Sequence, residues 1–166
     1  MYPITHMTIA VTSVGLGDRI WSRFRGESAV RFDYRFVALG ALIPDLIDKP
    51  LAWYLFPSLP DDHLWGHTLL LPTLLILLGA VRVRRGDPSL FSLGLGCLTH
   101  PLFDPINQYP QTLFWPLLGT EFPAAETNRK AMQVTLETSL VVTCALLLSR
   151  GWFRDLFRRV LANGAP

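Results

Sequence analysis

Hydrophobic residues fall into five blocks separated by polar stretches: residues 4–16, 36–56, 64–81, 90–103 and 131–149. Strict apolar–polar alternation never persists, whereas long Leu-rich runs recur, so the pattern predicts helices and not strands. The second block is interrupted by Pro44, Asp45, Asp48, Lys49 and Pro50, and the fourth runs into the sequence THPLFDP at residues 99–105. A residue before proline avoids the right-handed helical region, so the second and fourth helices are expected to kink or break there. The third block holds LLLPTLLILLGAV and stops at Arg82, Arg84 and Arg85. A loop rich in proline and aromatic residues, 105–128, precedes the fifth block. Residues 151–162 predict a short amphipathic helix, with Trp152, Phe153, Leu156 and Phe157 opposite Arg154, Arg158 and Arg159.

None of the blocks is a clean span of about 20 apolar residues. Two architectures fit: a soluble all-α domain, or short and broken helices in a membrane. The chain has 166 residues, enough for one domain. Half of them are hydrophobic and only 17% are charged, against about 25% in soluble domains, which excludes disorder and argues against a soluble globule. The net charge of +2 gives no case for nucleic acid as a partner. Cys97 and Cys144 both lie in apolar runs, which leaves no disulfide framework, zinc finger or CxxC motif. Residues 1–8 carry neither a basic stretch nor a cleavage pattern and are taken as part of the mature chain.

The placement of basic residues separates the two architectures. If all five blocks cross a bilayer with the N-terminus outside, residues 18–35, 82–87 and the tail from 150 face inward and hold twelve of the 15 Lys and Arg residues. Only Lys49, Arg129 and Lys130 face outward. This is the positive-inside pattern. The expected fold is therefore all-α: a compact bundle of about five short or broken membrane-embedded helices plus the C-terminal amphipathic helix. It forms a single domain over residues 1–166, multi-pass in the cell (inner) membrane.

The same topology gathers the chemistry at one face. All four histidines (His6, His63, His67 and His100) fall at outer helix ends, with Asp45 and Asp48 closing the second block and Asp104 the fourth. Glu137 lies about two turns inside the fifth block. His63 and His67, Asp45 and Asp48, and His100 and Asp104 are spaced three or four apart, so each pair shares a helix face, as helical metal sites require. Carboxylates at a helix C-terminus oppose its dipole, and unpaired polar groups beside apolar runs are costly. Both favour a metal centre on the exoplasmic side. Simpler roles stay open for His6 as an interfacial residue, His63 in a solvated loop, and Glu137 as a partner of Arg129 or Lys130.

The stretches THMTIA at residues 5–10, GALIPDLIDKPL at 40–51, GHTLL at 66–70, LTHPLFD at 98–104 and FWPLLG at 114–119 resemble the membrane-bound metal-dependent hydrolases of the YdjM-like group of inner-membrane proteins. The resemblance implies metal or active-site roles for His6, Asp45, Asp48, His67, His100 and Asp104. His63 and Glu137 rest on spacing and depth alone.

Mixed imidazole and carboxylate donors suit two divalent ions, Zn first, with Mn or Fe as alternatives. Two such ions suit phosphoester hydrolysis by metal-activated water, with Asp104 and Asp48 as catalytic carboxylates. A site at the membrane boundary suggests a lipid or lipid-linked substrate, its phosphate held by Arg129 and Lys130. The competing expectations are a metal or proton transporter, and an inactive membrane scaffold with a structural metal site.

Overall fold

The computed structural model describes residues 3–25, 31–58, 62–104 and 110–123, and the single positions 134, 138, 142, 143 and 158. The described residues are helical and contain no strand. The fold class expected from periodicity is what the backbone shows.

Helix α1 spans Pro3–Arg25. It continues past Leu16, where the apolar block ends, with no proline to interrupt it through Arg25. Asp33 caps α2 (Tyr34–Gly40): its carboxylate accepts the Arg35 backbone N–H at 3.0 Å and pairs with the Arg35 guanidinium at 2.9 Å. Partial burial pushes the Asp33 carboxyl up, but the Arg35 hydrogen bonds outweigh it and hold the group below the usual carboxylate range.

The second block breaks as expected. Helix α2 stops at Gly40, and α3 (Ile43–Pro50) restarts with Pro44 in its first turn, where a missing N–H costs nothing. Beyond Pro50 the chain widens into a π-helical turn, Leu51–Leu55. The third block is split too: a 3₁₀ turn, Trp65–His67, precedes α4 (Leu70–Val83). Helix α5 (Ser89–Phe103) differs from expectation, running through Pro101 without a break and ending two residues later at Phe103, with Asp104 as its C-cap. Inside the long loop, α6 (Pro110–Leu113) is pinned to the start of the third segment by the Leu69 N–H, which donates to Leu113 O at 2.9 Å.

Helix α5 is the hub, packed against α1, α2 and α4. Two glycine-lined crossings set the distances. A Cβ on Gly96 would lie 2.0 Å from Val37 O, and one on Gly40 2.1 Å from Leu93 O, so α2 and α5 touch backbone to backbone. Across α4 and α5, a Cβ on Gly79 would meet Phe91 N at 2.4 Å. Such small-residue contacts are how helices associate when apolar burial cannot drive them together.

The interior is polar and the exterior apolar. Among the described residues, seven hydrophobic ones are buried, Ala10, Val37 and Ala41 forming a small cluster, against twelve polar or charged ones. Leu70, Leu74, Leu77, Leu78 and Val81 form one stripe along α4, each more than half exposed. Among the described residues, however, no helix is long and apolar enough to cross a membrane, which corrects the expectation of block-by-block spanning helices. Helices α4 and α5, with 14 and 15 residues, reach about 21–23 Å against a hydrocarbon core of about 30 Å. Helix α1 has 23 residues but carries Asp18, Arg19, Arg23 and Arg25.

The fifth block lies mostly outside the described residues. Its described positions, Val134, Thr138, Val142 and Thr143, are helical, and the Thr138 hydroxyl donates to Val134 O at 2.7 Å. Glu137, Arg129, Lys130 and, apart from Arg158, the amphipathic tail 151–162 also lie outside them.

Candidate metal centre

The centre is built around Asp48, which is fully buried on α3. The 3₁₀ turn wraps its carboxylate: Oδ2 accepts the backbone N–H of Leu64 at 2.7 Å and of His67 at 3.1 Å, and Oδ1 accepts that of Gly66 at 2.8 Å. Only glycine fits at 66, because a Cβ would lie 2.8 Å from Pro44 O and 3.0 Å from the Asp48 carboxylate. The wrap turns His67 inward, so that its Nδ1 meets Asp48 Oδ2 at 2.7 Å. On α5, His100 places its Nδ1 2.6 Å from Ala41 O, a carbonyl freed where α2 gives way to α3.

These two contacts fix the tautomers. A carboxylate and a carbonyl only accept, so Nδ1 carries the proton in both rings, and each neutral ring is left with a lone pair on Nε2. The two Nε2 atoms face each other at 3.1 Å. Asp45 Oδ1 stands 3.6 Å from His67 Nε2 and 3.7 Å from His100 Nε2, and Asp104 Oδ2 stands 3.6 Å from His100 Nε2. Neighbouring ligand atoms on a tetrahedral Zn, at bonds of about 2.0–2.1 Å, are about 3.3 Å apart. The observed spacings bracket that value. Two opposed lone pairs repel unless a proton or a cation lies between them, so the donor set fits a divalent ion.

The remaining candidates complete the cluster. The His6 ring, from α1, stacks on His100 with centroids 3.9 Å apart, and its Nε2 is buried without a hydrogen-bond partner among the described residues. His63 packs edge-on against His67 at 4.4 Å, while its Nδ1 meets Asp62 at 3.0 Å. Three groups bring donor atoms within 4.8 Å of one another: His6, His100 and Asp104; Asp45, His67 and His100; and His63, His67 and Asp104.

Six of the residues picked out in the sequence therefore converge. Asp48 does not join these groups; its oxygens are taken by the turn and by His67 Nδ1. Glu137, Arg129 and Lys130 have no described position. Sequence reasoning missed three supports. Lys49 holds Asp45 Oδ2 at 2.6 Å, a pairing readable from its i,i+4 spacing. Gly66, directly before His67, carries a motif signal whose purpose only the wrapped carboxylate explains. The Ala41 carbonyl has no sequence signal beyond the break before Pro44.

Fold and site together define a helical protein with an interior of histidine and aspartate and an apolar exterior. The profile of the YdjM inner membrane protein family matches residues 1–161, and the chain belongs to that family. It is accordingly a membrane protein. Searches of curated proteins and of solved structures gave no match.

Proposed function

We propose that the chain is a membrane-embedded, metal-dependent hydrolase acting on a phosphoester of a lipid or lipid-linked substrate. The observation that carries the reading is the pair of opposed Nε2 lone pairs, 3.1 Å apart, with two carboxylates within 3.7 Å. A divalent ion held there by these residues would supply Lewis-acid activation of water and of a phosphoryl oxygen. Zn is the first choice for this ligand mixture, with Mn or Fe as alternatives.

The chain's own residues divide the work. His67, His100, Asp45 and Asp104 hold the ion side, with His6 and His63 within reach. Asp48 acts through His67, fixing its tautomer and ring angle, and so is a positioning residue. Asp104 leaves α5 in extended backbone, where its carboxylate borders two of the three donor groups and is the acid closest to catalysis. Arg129 and Lys130 are assigned to the substrate phosphate from the sequence.

Depth in the membrane follows from surface chemistry. Composite segments, α2 to the π turn (residues 34–55) and the 3₁₀ turn with α4 (65–83), supply apolar length that single helices lack. The broken backbone between their pieces lines the polar centre, where irregular structure is tolerated. Trp65, two residues from His67, joins Phe56, Trp115 and Phe122 in an aromatic cluster suited to the headgroup level. With the arginine pattern, this supports reading the chain as multi-pass with its centre on the exoplasmic side.

The test is phosphodiesterase turnover by detergent-purified protein on a lipid phosphoester and a soluble probe. Added Zn or Mn should restore turnover after chelation. A metal-loaded protein inactive on both substrates would favour the scaffold instead.

A further inference from the structure

The three donor groups cannot all hold ions at once. Nδ1 of His67 and of His100 is committed to Asp48 and to Ala41 O, so each ring offers one nitrogen, and one lone pair binds one ion. Asp45, His67 and His100 together use both nitrogens. The other two groups use one each and share only Asp104, whose two oxygens can serve two cations.

We infer that the centre has two mutually exclusive loading states: one ion on Asp45, His67 and His100, or two ions joined by Asp104, one with His6 and His100 and the other with His63 and His67. This rests on the metal-centre reading above and adds its stoichiometry and its switch. Asp45 belongs to the one-ion state alone. Lys49 occupies its Oδ2 at 2.6 Å, leaving Oδ1, nearly equidistant from the two Nε2 atoms, as its only ligand atom. His6 belongs to the two-ion state alone. Its buried Nε2 has no hydrogen-bond partner among the described residues, a costly arrangement that the second ion uses and the first does not.

The experiment is Zn²⁺ titration of chelator-stripped full-length protein in detergent, followed by calorimetry and by metal analysis after dialysis. Wild type should saturate at two ions per chain. His6→Ala and His63→Ala, on separate elements so that misfolding of one leaves the other informative, should each saturate at one. Asp45→Asn should weaken uptake of the first equivalent yet still reach two at saturation. In the His6→Ala background, Asp45→Asn should weaken the remaining ion by more than ~10-fold. Saturation of wild type at one ion, loss of an ion in Asp45→Asn, or full capacity in both histidine variants would overturn the inference while leaving a metal centre in place. Wild type that binds no Zn²⁺ would overturn the metal-centre reading as well.

Discussion

Two regions of the molecule are held by different physics. At the centre, Asp48, the 3₁₀ turn, His67 and His100 are positioned by directional hydrogen bonds of 2.6–3.1 Å. At the α2–α5 and α4–α5 crossings, position is set by backbone approach through Gly40, Gly79 and Gly96. The first region depends on its hydrogen-bond acceptors, and the second on the absence of a side chain at its glycines. Since α5 carries both Gly96 and His100, the crossing sets where the site stands, and the 2.6 Å contact of His100 Nδ1 with Ala41 O ties the site back to the end of α2.

The contrast predicts a graded set of failures. The largest is Gly96→Leu, whose Cβ would press on Val37 O; backbone cannot yield as a side chain can, so destabilisation of about 3 kcal/mol, the upper end of overpacking costs, is expected. Detergent melting and gel filtration should show loss of the folded species. A variant melting within a few degrees of wild type would mean that the α2–α5 contact is looser than described.

Next comes Asp104→Asn. Phosphoester turnover should fall by well over ~10²-fold, more than changes behind a ligand cause, with the melting curve little moved. Asp48→Asn should lower both stability and metal affinity. An amide cannot accept from all the donors that now surround Asp48, so a buried N–H loses its partner at a cost of about 1–3 kcal/mol, and metal affinity drops 10–100-fold as His67 loses its orientation. Equal affinity in Asp48→Asn and wild type would place Asp48 outside the centre's control.

The smallest effect is at the cap. Asp33→Ala should cost about 1 kcal/mol and flatten the acid limb of stability. The Asp33 carboxyl sits below its ordinary value in the folded chain. Its contribution is therefore present above the unfolded pKa and lost as pH falls through the folded one. Melting temperatures between about pH 6 and pH 3 should separate the two proteins only at the upper end. A constant gap would assign the cap's effect to backbone geometry alone.

Much of this was legible in the sequence, because periodicity and proline placement are local signals. The helices and the break at Pro44 follow from spacing; the gathering of His6, Asp45, His63, His67, His100 and Asp104 was expected from the alternation of the blocks and the family resemblance, in a set that also held Asp48 and Glu137. The division of labour between Asp45 and Asp48 does not. Both are aspartates one turn apart, and only the wrapped 3₁₀ turn shows that Asp48 faces away from the ion side. The hub role of α5 was hidden for a similar reason. Gly94 and Gly96 read as weak helix positions until α4 and α2 are seen pressed against them. Helix lengths were misjudged because apolar blocks count residues across breaks that the backbone respects.

The central claim is that His67 and His100 present two Nε2 lone pairs to a common cation. Metal analysis of protein purified from metal-replete membranes, wild type beside the His67→Ala/His100→Ala double variant, tests it most directly. At least one tightly held divalent ion per chain is expected in wild type and none in the double variant, with both proteins folded. Metal-free wild type, or equal metal in the two proteins, would contradict the account.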